Sequence, residues 1–178
     1  MRHALIVGAR GVGKSTLIRR VLRELNVPYF GYETKKEKHL TDPIHGDPIY
    51  IYPAGAEHAQ RPDNLLGYCK QQRPEVHAAA FDRHAPALTR VPEGTRLILM
   101  DEIGFMETAS AAFCGAIMGH LDGEIPVLAA VKHNDMPFLE QVRSHENCRC
   151  FRITEENRDA LFPEVLAFLR AQLEERQA

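Results

Sequence analysis

The sequence is poor in cysteine: Cys69, Cys114, Cys148 and Cys150 are the only four in 178 residues. Four thiols are too few for a disulfide scaffold, and a chain of this length can bury a core without one. Long apolar runs are also missing, the longest being the five-residue stretches 127–131 and 165–169. A spanning helix needs about 20 apolar residues, so no membrane partner is expected. Ahead of Gly8 stand one arginine and the short apolar run 4–7, less than a secretory signal requires. A basic surplus is absent too: 22 Lys plus Arg stand against 24 Asp plus Glu, a net charge of −2. A protein that lives on a polyanion normally shows such a surplus, so no nucleic-acid partner is expected. The expectation is a cytoplasmic protein with reduced thiols, folded as one domain over 1–178.

What is present is an alternation of two kinds of apolar pattern. Residues 2–7 contain the continuous run ALIV and read as a buried strand ending at Gly8. Residues 14–25 place Leu17, Ile18, Val21, Leu22 and Leu25 on one helical face, and Pro28 closes that helix. Residues 29–33 and 49–52 read as short strands around a polar stretch, 34–48, which predicts a hairpin or flap. Residues 65–69 form a possible further strand, and 74–88 read as a helix. Residues 96–101 (RLILMD) are a second buried strand, and Met106, Ala109, Phe113, Ala116 and Ile117 then share a helical face. A strand at 125–131, a helix at 137–144, a strand at 150–153 and a last helix starting near Pro163 complete the chain. Continuous apolar strands alternating with helices predict an α/β fold of three layers. Its sheet is mainly parallel, has helices on both faces and carries a short inserted hairpin.

The first strand runs into GARGVGKST, residues 8–16. This is the phosphate-loop (Walker A) pattern, set between a strand and a helix as that pattern requires. Gly8, Gly11 and Gly13 let the backbone curl, so that the amides of Gly8, Ala9, Arg10, Gly11, Val12, Gly13, Lys14, Ser15 and Thr16 form an anion cradle before a helix N-terminus. Lys14 would reach the outer phosphates, and the Ser15 hydroxyl would sit on a magnesium ion. Asp101, at the end of the strand LILMD, is the candidate second magnesium residue. Glu102 beside it is the candidate base for a water in line with the outer phosphate.

With these residues in place, the sequence resembles a known family, the small nucleoside-triphosphatases of the P-loop superfamily. That family has bacterial and archaeal members and includes the human cancer-related nucleoside triphosphatase. The match is carried by GARGVGKST, GYET (31–34), DEIGFME (101–107) and ITEENRDALFP (153–163), with LGY (66–68) and the pair Phe81-Asp82 in order between them. The resemblance implies a P-loop fold and magnesium-dependent hydrolysis of ATP, GTP and other nucleoside triphosphates to the diphosphate and phosphate. One departure is Phe105, where members commonly carry lysine.

Other constellations are weaker. Arg158 is open between a contact to the base or outer phosphates and a salt bridge at a helix start. Arg10 either leans over the nucleotide or stays solvated. His145, Cys148 and Cys150 lack the spacing of a zinc cluster, and Lys35, Lys36, Lys38 and His39 read as a solvated basic loop. Two alternatives to a hydrolase stay open. One is a nucleotide or small-molecule kinase gripping an acceptor with Glu33 or with Asp82 and Arg83; the other is a nucleotide-dependent switch or accessory protein. No Asn-Lys-x-Asp signature is present, which argues against a regulatory guanine-nucleotide switch.

Overall fold

The apolar run 4–7 folds as β1 (His3–Gly8), buried along its whole length. Such burial requires a strand neighbour on each edge and helices on each face. The computed structural model describes residues 1–71 and 73–175. Helix α1 (Lys14–Leu25) follows and buries Leu17, Ile18 and Val21, each worth roughly 1.5–3 kcal/mol against exposure. It ends on Asn26 in the left-handed conformation, two residues before Pro28.

Next come β2 (Tyr29–Lys36), β3 (Asp47–Pro53), β4 (Leu65–Lys70), β5 (Arg73–Val76) and α2 (Ala78–Leu88). They are followed by β6 (Leu97–Ile103), α3 (Ala111–Asp122), β7 (Val127–Lys132), α4 (Pro137–Arg143), β8 (Cys148–Arg152) and α5 (Arg158–Glu175). Among the described residues the strands make one eight-stranded sheet in the order β5-β4-β3-β2-β6-β7-β1-β8. The half from β2 to β8 is parallel. The other half, β3 to β5, is an antiparallel extension of β2. The expected hairpin is the β2–β3 pair, and it belongs to this sheet instead of standing apart as a flap.

Strand alternation divides the core in two. Leu5, Val7, Ile98 and Met100 face α2, α3 and α4, together with Phe81, Phe113, Ile117 and Leu139. Ala4, Ile6, Leu97 and Leu99 face α1 and α5, with Ile18, Val21, Val165 and Leu169. The connections leaving β1 and β7 therefore cross on opposite faces, through α1 and α4. That reversal opens a crevice at the carboxyl ends of the strands, the usual ligand position in such sheets.

Several strand ends shift by a few residues, β2 running on to Lys36 for example, and three differences change an element. Residues 73–76 are a strand, not the start of α2, because they pair with β4 across Gly67. Gly67 has φ +147°, and an added Cβ there would lie 1.9 Å from the Glu75 carbonyl oxygen. The helical face from Met106 to Ile117 is broken into a 3-10 turn (Met106–Ala109) and α3, because the Ser110 hydroxyl accepts the Phe113 N–H as an N-cap. The last helix starts at Arg158, so Pro163 lies inside it; Asn157 opens it earlier, its carbonyl accepting the Leu161 N–H and its side chain the Thr154 N–H.

Candidate active site

Every residue of the predicted phosphate loop lies where β1 leaves the sheet. Gly8 ends the strand, and residues 9–13 curl back with Gly11 at φ +84° and Gly13 at φ +104°. A Cβ on Gly8 would come 2.7 Å from Ile153, so the loop can sit this close to the chain beyond β8 only with glycine there. Gly13 is the N-cap of α1 and offers no side chain to the first amides, and no acid occupies the first turn. The helix start is left electropositive, as anion binding requires. Ala9, Arg10, Ser15 and Thr16 are exposed, while Val12 is partly buried against the core.

Lys14 is buried, and its ammonium is turned inward. Nζ donates to the carbonyl oxygens of Gly8 and Ala9 at 3.0 and 2.9 Å and lies 3.2 Å from Glu102 Oε2. Three donors thus meet three acceptors. A polyphosphate in the loop would have to draw this ammonium away from some of them.

The acidic pair comes from the end of β6. The alternation that turns Leu97 and Leu99 toward α1 continues to Asp101, and Ser15 Oγ donates to its Oδ1 at 3.1 Å. Burial pushes the Asp101 carboxyl up to about 6, with Glu102 and Glu33 adding to the rise and the Ser15 hydrogen bond opposing it. A hydroxyl and a carboxylate oxygen this close are the donor set that a small hard cation takes, so the residues fit magnesium. The ladder with β7 slips between Asp101 and Ile103, and Glu102 reaches across toward the phosphate loop. Its Oε1 lies 3.0 Å from Lys132 Nζ, so the carboxylate bridges two lysines.

Three further residues shape this corner, and the sequence reading assigned them no part in it. Thr34, the last residue of GYET, straps the acidic pair: its hydroxyl donates to the Asp101 carbonyl at 3.4 Å and accepts the Glu102 N–H at 3.3 Å. Glu107 is buried, accepts the Gly104 N–H at 2.8 Å and is pushed up to about 7 by that burial. Lys132 ends β7, opposite Gly8 in register. A lysine directly after the run VLAAV was the available signal, since strand ends line the crevice in this architecture.

A cavity of about 580 Å³ opens from this corner. Its wall mixes polar side chains, among them Arg10, Lys36, Glu102 and Lys132, with apolar ones such as Leu66 and Phe105. On the other side of the loop a cleft of about 250 Å³ lies between Gly13, Thr16, Arg20 and Arg158. The structure puts Arg158 at the loop, its Cδ 3.7 Å from where a Cβ on Gly13 would be. The ion pair at the start of α5 is made instead by its neighbour Asp159, which meets Arg20 at 3.5 Å.

The remaining candidates lie elsewhere. Asp82 accepts the Ser110 hydroxyl and so supports the start of α3. Glu33 pairs with His58 at 3.5 Å. Cys148 is buried, whereas Cys150 is exposed and donates to the Arg143 carbonyl; His145 pairs with Asp122. The basic run is not one loop: Lys35 and Lys36 lie on β2, paired with β3, where Lys36 meets Asp47 and Lys35 meets His58, and only Lys38 and His39 lie in the turn beyond it.

The comparisons with known proteins point one way. A family model described as NTPase matches residues 3–166. The nucleoside-triphosphatase THEP1 of Thermotoga maritima is 30% identical over 177 residues, covering 97% of this chain and 98% of that protein. The cancer-related nucleoside-triphosphatase of Homo sapiens is 27% identical over 188 residues, with 96% and 97% covered. Among solved structures, that of THEP1 from the hyperthermophile Aquifex aeolicus matches the fold with a TM-score of 0.73 at 23% identity, covering 95% of this chain and 99% of that one.

Proposed function

This chain belongs to the NTPase family, and on that premise we propose that it hydrolyses nucleoside triphosphates, ATP and GTP among them, to the diphosphate and phosphate with magnesium. The observation that carries the reading is the convergence of Lys14, Ser15, Asp101 and Glu102, from two distant segments, on one glycine-rich cradle at a helix start. The whole chain, 1–178, acts as one P-loop domain in this reading. Its thiols, free among the described residues, suit a reducing cytoplasm.

The chemistry follows from the positions. The loop amides and the N-terminus of α1 hold the polyphosphate, and Lys14 turns outward from the Gly8 and Ala9 carbonyls to meet its outer oxygens. Ser15 and Asp101 would hold the magnesium ion, which neutralises charge developing on the phosphate oxygens when bound. Glu102 accepts a proton from the attacking water as the water oxygen bonds to the terminal phosphorus. The bond to the bridging oxygen breaks, and the diphosphate leaves with that electron pair. Arg158 stands on the cleft side, where it would meet the ribose or base.

A second reading, transfer to an acceptor, is favoured by one observation. A single water takes about 30 Å³, and the cavity that the phosphate loop and Glu102 share is about 580 Å³, with Ile49, Leu66 and Phe105 in its wall. Phosphate release from a panel of magnesium nucleoside triphosphates, with no acceptor added, separates the two. Wild-type protein should release phosphate, Lys14→Ala should lose most of it, and Glu102→Gln should fall by about 10²–10⁴-fold. Wild-type protein that binds nucleotide yet releases no more phosphate than the variants would refute hydrolysis and leave transfer to be assayed with added acceptors.

A further inference from the structure

Glu102 has two cationic neighbours, and they are held differently. Lys14 is held by the Gly8 and Ala9 carbonyls and by Glu102 Oε2, and it is the residue that a polyphosphate attracts. Lys132 touches the other carboxylate oxygen, Oε1, at 3.0 Å. Its backbone is fixed twice over: Gly8 is its register partner on β1, and Arg143 donates to its carbonyl oxygen at 3.3 Å.

The path of its side chain is set as well. The Lys132 stem runs across Gly104, two residues after Glu102, and a Cβ there would lie 2.9 Å from Lys132 Cδ and 3.3 Å from Nζ. The glycine of DEIG leaves the space in which this lysine extends. Buried Glu107 holds the same turn by accepting the Gly104 N–H.

We propose that Lys132 is a positioning residue for the hydrolytic step: it keeps the Glu102 carboxylate aimed at the attacking water once a bound triphosphate has drawn Lys14 away. Without it, Glu102 in the loaded state would have no cation holding its orientation. A carboxylate on a free rotor samples the in-line water geometry only part of the time, and a displacement of about 1 Å can cost on the order of 10²-fold. The effect falls on the chemical step, because Lys132 acts through Glu102 and not on the substrate. The inference rests on the hydrolase reading, and its test has an arm that does not.

In steady-state assays, Lys132→Met, which keeps an apolar stem, should lower kcat by about 10–100-fold with KM within about twofold. Lys132→Arg should restore most of the rate. Gly104→Ala, which crowds the lysine stem and leaves its charge, should lower kcat in the same direction. The second arm follows the lysine side-chain signals by NMR in protein loaded with magnesium and a non-hydrolysable triphosphate analogue. There Glu102→Gln should move the Lys132 signal and leave the Lys14 signal in place. A raised KM at unchanged kcat would make Lys132 a substrate contact and overturn the proposal, as would an unaltered kcat. A Lys132 signal indifferent to Glu102→Gln in the loaded protein would overturn it even if the chain hydrolysed nothing, whereas absence of hydrolysis alone would count against the hydrolase reading.

Discussion

His3 makes an acid-sensitive joint whose size follows from its contacts. It is fully buried at the start of β1, and both ring nitrogens are engaged: Nε2 lies 2.9 Å from the Leu121 carbonyl oxygen, and Nδ1 accepts the Val127 N–H at 3.1 Å. The neutral Nε2–H tautomer satisfies both contacts. A second proton on Nδ1 would remove the acceptor for Val127 and charge a dry site. Burial accordingly lowers the His3 pKa from 6.5 to about 4. The unfolded chain therefore takes up this proton first. The cost to stability is absent above about pH 6.5, grows as pH falls through the window, and is complete below about pH 4. At about 1.4 kcal/mol per pH unit the full cost is about 3 kcal/mol, and about 2 kcal/mol is already lost by pH 5. Other groups titrate in the same range, so the measurement is a difference: urea unfolding of wild type and His3→Leu from pH 7.5 to pH 4.5. At pH 7.5 wild type should be the more stable, by about 1–3 kcal/mol for the Val127 amide left unpaired in the variant. By pH 5 that margin should shrink by about 2 kcal/mol, a shift on the order of 1 M in urea midpoint. Parallel pH profiles for the two proteins would refute the argument.

Other consequences concern the site. Gly31 has φ +138°, and a Cβ there would lie 1.9 Å from the Leu99 carbonyl oxygen. Gly31→Ala should therefore destabilise the protein by about 2–4 kcal/mol and loosen Thr34 from the acidic pair, read as a lowered melting temperature together with reduced turnover. Ser15→Ala should leave the fold unchanged and raise the magnesium concentration for half-maximal activity by about tenfold. An unaltered magnesium titration would remove Ser15 from the metal site. Chelation of magnesium should abolish turnover in wild type and should be reversed by adding the ion back.

Much of the site was legible because its chemistry is local in sequence. A cradle of backbone amides needs glycines at fixed spacing between a strand and a helix, and all of that lies within residues 8–16. The acidic pair was legible for a similar reason: buried strands carry continuous apolar runs, and polar residues where such a run ends sit at the strand's carboxyl end, where the crevice opens. The boundaries that moved did so for tertiary reasons. Residues 73–76 became a strand because β4 offered an edge with Gly67 on it, and no pattern within those residues records that neighbour.

By itself, then, the sequence determined the alternation of strands and helices, the phosphate loop and the family to which the chain belongs. Only the tertiary structure decided the strand order, with β7 set between β1 and β6, and that order brings Lys132 against Glu102, 30 positions earlier in the chain. It also decided that Thr34 straps Asp101, through the pairing of β2 with β6, and that Arg158 comes to rest over Gly13. The physical reason is that parallel strands touch only through long crossovers, so their neighbours are chosen by how whole helices pack on two faces. Spacing along the chain carries almost no trace of that choice.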